Sequence, residues 1–279
     1  RQEIKLDGWR LFGNTIWTPG MQTHDAVTFH HKRDNMALVA GYIRAREDGR
    51  NVEIDDNNDT DVYLLHANFK GILGGQFSAI YAFLDEGCGS ENQNNADNAQ
   101  GEGCDSGRND FSTIGGRQAG QMFGLDYRGE FYYQFGRADG VATVKTGTPE
   151  IDRSAYMFGV RVGKKFNNVM YKPSVTLWYD YLSGTSDEDQ ADGDWGSFNT
   201  LFDTGHKYYG LQDVFLGIGG GTTSGTSGLG LQDLAIKFKM NPMPGWTFKF
   251  DAHAFATAEG ICANPQTSSV TCADTAGGN

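Results

Sequence analysis

The sequence predicts an all-β fold, an antiparallel up-and-down sheet apolar on one side and ionic on the other, on three grounds. The first is the stretch Asp126–Phe135, D-Y-R-G-E-F-Y-Y-Q-F. Strand side chains repeat every second residue, so Tyr127, Gly129, Phe131, Tyr133 and Phe135 share one face. Asp126, Arg128, Glu130, Tyr132 and Gln134 share the other. The second is that such segments recur along the 279 residues while their connections alternate, short then long. A meander with that rhythm has all its short turns at one end and all its long loops at the other, the arrangement of membrane-spanning barrels. The third is that no apolar run reaches the length of a spanning helix. The mean hydropathy of −0.49 reads as water-soluble, but alternating faces cancel in such an average.

Taken in order, Arg1–Leu6 alternates as a short strand, and Asp7–Gln22 is a loop holding Trp9, Phe12 and Trp17 among glycines. Thr23–His31 and Met36–Arg46 pair around the tight turn Lys32–Asn35, and Glu47–Thr60 is an acidic loop. Asp61–Lys70 sets Tyr63, Leu65, Ala67 and Phe69 against His66, Asn68 and Lys70. A glycine turn leads back into Gln76–Asp85, with Phe77, Ala79, Tyr81 and Phe83 aligned. Glu86–Asp110 is a long Asn/Gly/acid loop. Phe111–Gln118 puts Thr113 and Arg117 opposite Ile114 and runs into Asp126–Phe135. Ser154–Lys164 and Lys172–Ser183 repeat the pattern, with Arg161, Trp178 and Asp180 on the ionic side. Gly184–Gly228 is the longest excursion, and Tyr208–Leu216 within it is not a spanning strand, because counting it breaks the alternation. Leu229–Lys239 and Trp246–Phe255 close as a hairpin around N-P-M-P-G.

The total is about eleven strands, most with the length of a tilted bilayer crossing. A water-soluble sandwich uses the same alternation to bury its aromatic side in a core. The length of the apolar faces, the mixed charge opposite them and the loop asymmetry favour an antiparallel transmembrane β-barrel. Single-chain barrels close with an even strand number. Residues 1–279 are therefore expected to be one incomplete barrel domain, with strands before Arg1 and after Asn279.

The net charge is −12, yet the acid lies mainly in loops. The candidate lumen positions are mildly basic: Arg44, Arg46, His66, Lys70, Arg117, Arg128, Arg161, Lys237 and Lys249, with Glu130 among them. Cations ringing a narrow passage favour anions, and the Arg fork suits carboxylates. Arg44 and Arg46 have no acid in their own strand and are read as functional. Arg128 and Glu130, two apart on one face, serve as readily to hold the wall together.

Cys88 and Cys104 bracket one polar loop and Cys262 and Cys272 another, which fits local disulfides in an oxidising compartment. Four free thiols are the alternative, and the spacing does not suit zinc. Asp187–Asp194, D-E-D-Q-A-D-G-D, resembles a calcium loop faintly but lacks the bidentate Glu. A solvated acidic loop is the preferred reading, and no other cofactor is indicated. His206 and Asp203 lack an accompanying nucleophile, so the chain reads as no enzyme. Asp203, His206, Lys207 and Tyr208 read instead as a loop folded into the lumen as a plug. Gly217–Gly221 fails as a phosphate loop, and His30 and His31 lack metal-ligand spacing.

Two stretches carry a family resemblance. R-Q-E-I-K-L-D-G-W-R-L-F-G-N-T-I-W followed by Q-T-H-D-A-V, and F-N-T-L-F-D-T-G-H-K-Y-Y-G-L-Q-D at Phe198–Asp213, resemble the signatures of alginate-export outer-membrane proteins. Trp178–Gly184 and the N-P-M-P-G hairpin fit the same family. His24 stands where that pattern commonly has an aromatic. The resemblance implies a large monomeric barrel of about eighteen strands in the bacterial outer membrane, in contact with lipid and outer-leaflet lipopolysaccharide. It implies porin-like, passive passage of anionic saccharides of the alginate or uronate type. The alternatives are a structural barrel plugged, or filled by a protein partner in a surface complex, and an extracellular β-rich binding module.

Overall fold

A computed structural model describes residues 1–14, 21–46, 60–86, 109–138, 151–210, 214–215, 226 and 228–260. Eight strands come first: β1 (Asp25–Lys32), β2 (Met36–Arg46), β3 (Thr60–Ile72), β4 (Gly75–Glu86), β5 (Phe111–Met122), β6 (Leu125–Arg137), β7 (Asp152–Lys165) and β8 (Ser174–Leu182). A short helix α1 (Asp187–Asp192), a two-residue β9 (Asp194–Trp195) and a 3-10 turn (Gly205–Lys207) follow. β10 (Leu231–Met240) and β11 (Phe248–Ala256) complete the sheet. Every strand pairs with its sequence neighbour, antiparallel, except that β9 lies parallel to β7 and β8 pairs directly with β10. Within the described residues the sheet is not closed: β1 and β11 are its edges.

The connections alternate as the sequence predicts. The hairpins β3–β4 and β5–β6 turn on Leu73–Gly74 and Phe123–Gly124, with φ of 47°, 71°, 53° and 73°. Two successive positive φ values are the turn geometry that matches strand twist. Glycine takes the second position without steric cost, while Leu73 and Phe123 adopt a conformation rare for residues with a Cβ. This tight turn extends β5 to Met122, beyond the expected end at Gln118.

The two faces are inverted relative to a water-soluble sandwich. Val27, Phe29, Tyr63, Leu65, Ile114, Phe131, Val160, Leu177, Leu234 and Phe250 are exposed on one side. Glu130, Asp180, Asp233, Gln134 and Thr113 are buried on the other, beside Ile43, Leu64, Ile80, Tyr132, Met157 and Trp178. The buried side is filled by the chain itself. Ile4, Leu11 and Phe12 from the N-terminal segment, and Phe198, Tyr208 and Tyr209 from the long excursion, join one cluster with residues of β2 to β8 and β10. Ala26 of β1 and Phe255 of β11 pack against it as well. Strands lie about 4.8 Å apart, so a flat sheet of this width would span roughly 40 Å.

Two expectations are corrected. Arg1–Leu6 is not a strand: Gln2 alone bridges to His24, and the chain then turns onto the inner face. The expected total of about eleven is met with β9 in its place. Asp187–Asp192 is a helix and not a loop, started by a Ser186–Asp189 capping box and ended at Gly193 with φ 86°. Three acids in its first turn complement the positive helix end. The acidic loops around residues 47–59 and 87–108, and all four cysteines, lie outside the described residues.

Candidate functional site

The inner face gathers its chemistry where the N-terminal segment crosses β5, β6 and β8. That segment, D-G-W-R-L-F-G-N at 7–14, doubles back on itself: Trp9 N–H donates to Leu6 O at 2.7 Å, and Leu6 N–H to Phe12 O at 3.1 Å. It is joined to the excursion by Gly13 N–H to Phe202 O (2.8 Å), Phe202 N–H to Leu11 O (2.9 Å) and Thr204 N–H to Trp9 O (3.0 Å). A side chain at Gly13 would collide with Thr204 Oγ1 and Trp9, so only glycine lets the two backbones approach. The His24 ring packs edge-on against Phe202 at 4.9 Å between centroids.

Arg10 is the centre of this arrangement, 1 % exposed. Its Nε and Nη2 donate to Glu130 Oε1 of β6 at 3.1 and 2.9 Å, and Nη2 also reaches Asp180 Oδ2 of β8 at 2.5 Å. Nη1 donates to Tyr209 Oη at 3.3 Å, and the guanidinium lies 3.8 Å from the Tyr208 ring centre. Burial opposes the charge, but Asp180 and Glu130 outweigh it and hold the guanidinium protonated well above its ordinary range. One planar fork thereby ties two wall strands to both inner segments.

The wall cations are arranged around that tie. Arg161 stands over Trp178, 2.9 Å from the ring centre, and its Nη2 is 3.6 Å from Asp180 and 3.9 Å from Glu130. Lys237 lies 4.2 Å from the same ring centre and 3.4 Å from Asp251. Arg117 and Arg128 form no ion pair among the described residues, and Arg117 Nε and Arg128 Nη2 are buried without a hydrogen-bond partner there. Both reach toward Gly8, where a Cβ would meet Arg128 Nη1 at 3.2 Å and Arg117 Nη2 at 3.8 Å. Lys207 completes the group: its ammonium donates to Gly8 O at 2.9 Å and lies 4.6 Å from the Trp9 ring centre. Burial, then Arg128, Arg117 and Arg10, push the Lys207 ammonium down to about 8. Trp9, Gly8, Arg117, Arg128 and Lys207 thus form an aromatic-edged patch with net positive charge, suited to a carboxylate.

Other expected site residues fall elsewhere. His66 faces inward and contacts Asp7 Oδ2 at 3.0 Å. Lys70 and Lys249 keep the inward parity but are exposed toward the short-turn end. Arg44 is a correction: it is paired across the sheet with Asp61, on the same side as Tyr42 and the exposed Tyr63. Its Nε donates to Asp61 Oδ1 at 2.6 Å and its Nη2 contacts Tyr42 Oη at 3.0 Å. The acid absent from its own strand is supplied by the next, so Arg44 braces the outer rim and does not line the interior. Arg46 pairs with Thr60 beyond a register shift, and its side chain lies outside the described residues. Of the expected plug residues, Tyr208 is buried against Arg10, its hydroxyl donating to Gly8 O. His206 is half-buried, and burial pushes the Asp203 carboxyl up to about 7 against the pull of Arg10. Among the described residues, no cluster of metal-ligating side chains is found.

Arg10, the centre of this arrangement, is a residue that strand periodicity could not locate, because it lies in no strand. One signal was available: Trp9, Phe12 and Trp17 make the Asp7–Gln22 stretch too aromatic for a solvated loop.

The family model described as alginate export matches residues 1–216. That span takes in the Arg10 segment, β1 to β8 and the turn at Gly205–Lys207. No curated protein matches the chain.

Proposed function

Because the chain belongs to the alginate-export family, we propose that it forms an outer-membrane channel through which anionic, uronate-type saccharides pass passively. The observation that carries this reading is the pair Arg117 and Arg128, held on the inner wall beside Lys207 with no acid within ion-pair distance among the described residues. Uncompensated cations in an enclosed passage draw anions and repel cations. The exposed Val27, Phe29, Leu65, Phe131 and Leu177 support lipid and outer-leaflet lipopolysaccharide as the outer medium. Each such side chain left in water would forgo roughly 1.5–3 kcal/mol of burial. In a bilayer, unpaired backbone at β1 and β11 needs partners, and the family reading closes the wall at about eighteen strands.

The test is the reversal potential of the full chain in planar bilayers under a KCl gradient. Anion preference is expected, reduced at least about threefold in Arg117→Gln/Arg128→Gln. Cation preference in the wild type, or a double variant indistinguishable from it, refutes the reading. A second reading, a plugged structural barrel, is favoured by one observation: Leu11, Phe12, Tyr208 and Tyr209 fill the inner face. Liposome swelling with small uronates decides between them, since a plug permits no flux.

A further inference from the structure

Two of the inner-face carboxylates, Glu130 and Asp180, are set among three wall cations, Arg117, Arg128 and Arg161. Glu130 is directly opposite Arg117 in the β5–β6 register and two residues from Arg128 in its own strand. By strand geometry alone these acids would neutralise the wall. They form no ion pair with Arg117 or Arg128 among the described residues; instead Arg10 arrives from outside the sheet and takes Glu130 Oε1 and Asp180 Oδ2. Arg161 adds only the longer contacts of 3.6 and 3.9 Å. The other carboxylate oxygens, Glu130 Oε2 and Asp180 Oδ1, are buried without partners and would accept a hydrogen bond from any donor that came near.

We propose that Arg10 is a selectivity-determining positioning residue: by occupying Glu130 and Asp180 it leaves Arg117 and Arg128 free to act on passing anions. Arg10 itself is sealed beneath Tyr208 and Tyr209 and touches nothing in transit. Without it, both buried acids need counter-charges, and the guanidinium groups within reach are those of Arg128, Arg161 and Arg117. The wall would then fold its cations inward onto its own acids, and the free positive charge beside Gly8 would shrink. The inference rests on the anion-channel reading above and adds the residue that sets its charge balance.

The experiment compares reversal potentials of the full chain in planar bilayers for wild type, Arg10→Gln and Arg10→Gln/Glu130→Gln/Asp180→Asn. Heat-modified gel mobility checks that each barrel is folded. Arg10→Gln is expected to lose at least about threefold in anion-to-cation preference. The triple variant, lacking the acids that would recapture the wall cations, is expected to recover wild-type preference. A residue that merely braces the inner segments predicts no such rescue. If Arg10→Gln does not fold, the triple variant alone decides: retained preference supports the proposal and lost preference overturns it. A wild-type preference that survives Arg10→Gln overturns the role of Arg10 and leaves the channel reading intact. A wild type without anion preference overturns both.

Discussion

The outer rim at β2–β3 and the inner wall at β5–β6 begin from the same local pattern and end differently. In each, an arginine stands directly across the sheet from a carboxylate: Arg44 from Asp61, and Arg117 from Glu130. At the rim the two join at 2.6 Å, with Tyr42 as a third member. On the inner wall that pair is not formed, and Glu130 is bound by Arg10 instead. The difference teaches that the availability of a cation is not decided by its strand and cross-strand neighbour alone. It depends also on whether another segment brings in a competing charge.

The largest expected effect is on stability. Arg10→Met leaves Glu130 and Asp180 buried without their main counter-ion and should cost about 3–5 kcal/mol in denaturant unfolding of the folded barrel. Arg44→Met breaks a pair whose side chains are 31 % and 20 % exposed and should cost less than about 1 kcal/mol. Equal losses at the two sites would erase the comparison.

Asp203 offers a pH-dependent version of the same contrast. Its folded carboxyl titrates near 7 and its unfolded one near 3.8, so between those values the folded state holds a proton that the unfolded state has released. Stability therefore falls as pH rises through that window. The cost should approach about 2 kcal/mol above neutrality, allowing for partial solvent screening. Asp203→Asn should flatten the dependence. Limited proteolysis of the segment around Thr204–Tyr209 at pH values on either side of the window reads it directly. Cleavage that is independent of pH in the wild type would show that Asp203 is ionised throughout.

Selectivity is expected to separate the two arginines more finely. Arg128→Gln should lower anion preference about twofold, while Arg44→Gln should leave the reversal potential unchanged. A shift at Arg44 would place it in the pathway despite its contacts with Tyr42 and Asp61.

Much of the wall was legible because its signal is local. A period of two assigns Tyr127, Phe131 and Phe135 to one side and Arg128 and Glu130 to the other from a single strand; Phe131 and Phe135 are exposed and Glu130 is buried, while Tyr127 and Arg128 are both half-buried. The loop rhythm set strand order and located the hairpins. Face assignment failed at β2, where Ala37, Val39 and Ala45 mark the inner side as weakly as Ala40 and Tyr42 mark the outer one. Only pairing with the strongly marked β3 fixes Arg44 outward. The candidate site was legible in half: its wall members Arg117, Arg128 and Arg161 follow from periodicity. Arg10, Gly8 and Trp9 do not, because nothing local in D-G-W-R-L-F-G-N states which distant strands it crosses. The expected plug residues were singled out through the irregularity of their stretch. Their contact with Arg10 was not legible, because Arg10 is about two hundred residues away from Tyr209 in sequence and beside it in space.

The smallest effect is the most specific one. Lys207 titrates near 8 because burial and its neighbours Arg128, Arg117 and Arg10 disfavour its charge. Below that value it adds one cation to the patch beside Gly8, and above it the patch keeps only its guanidinium groups. Anion preference should therefore decline modestly as pH rises through about 8, and Lys207→Gln should show the lower preference at every pH. Arg128→Gln removes one of the like charges pressing on Lys207, so the midpoint of the remaining pH dependence should move upward. Arg44→Gln, remote and already neutralised by Asp61, should leave it in place. A midpoint that moved equally in both variants would mean that Lys207 senses the overall charge of the barrel and not the wall cations freed by Arg10.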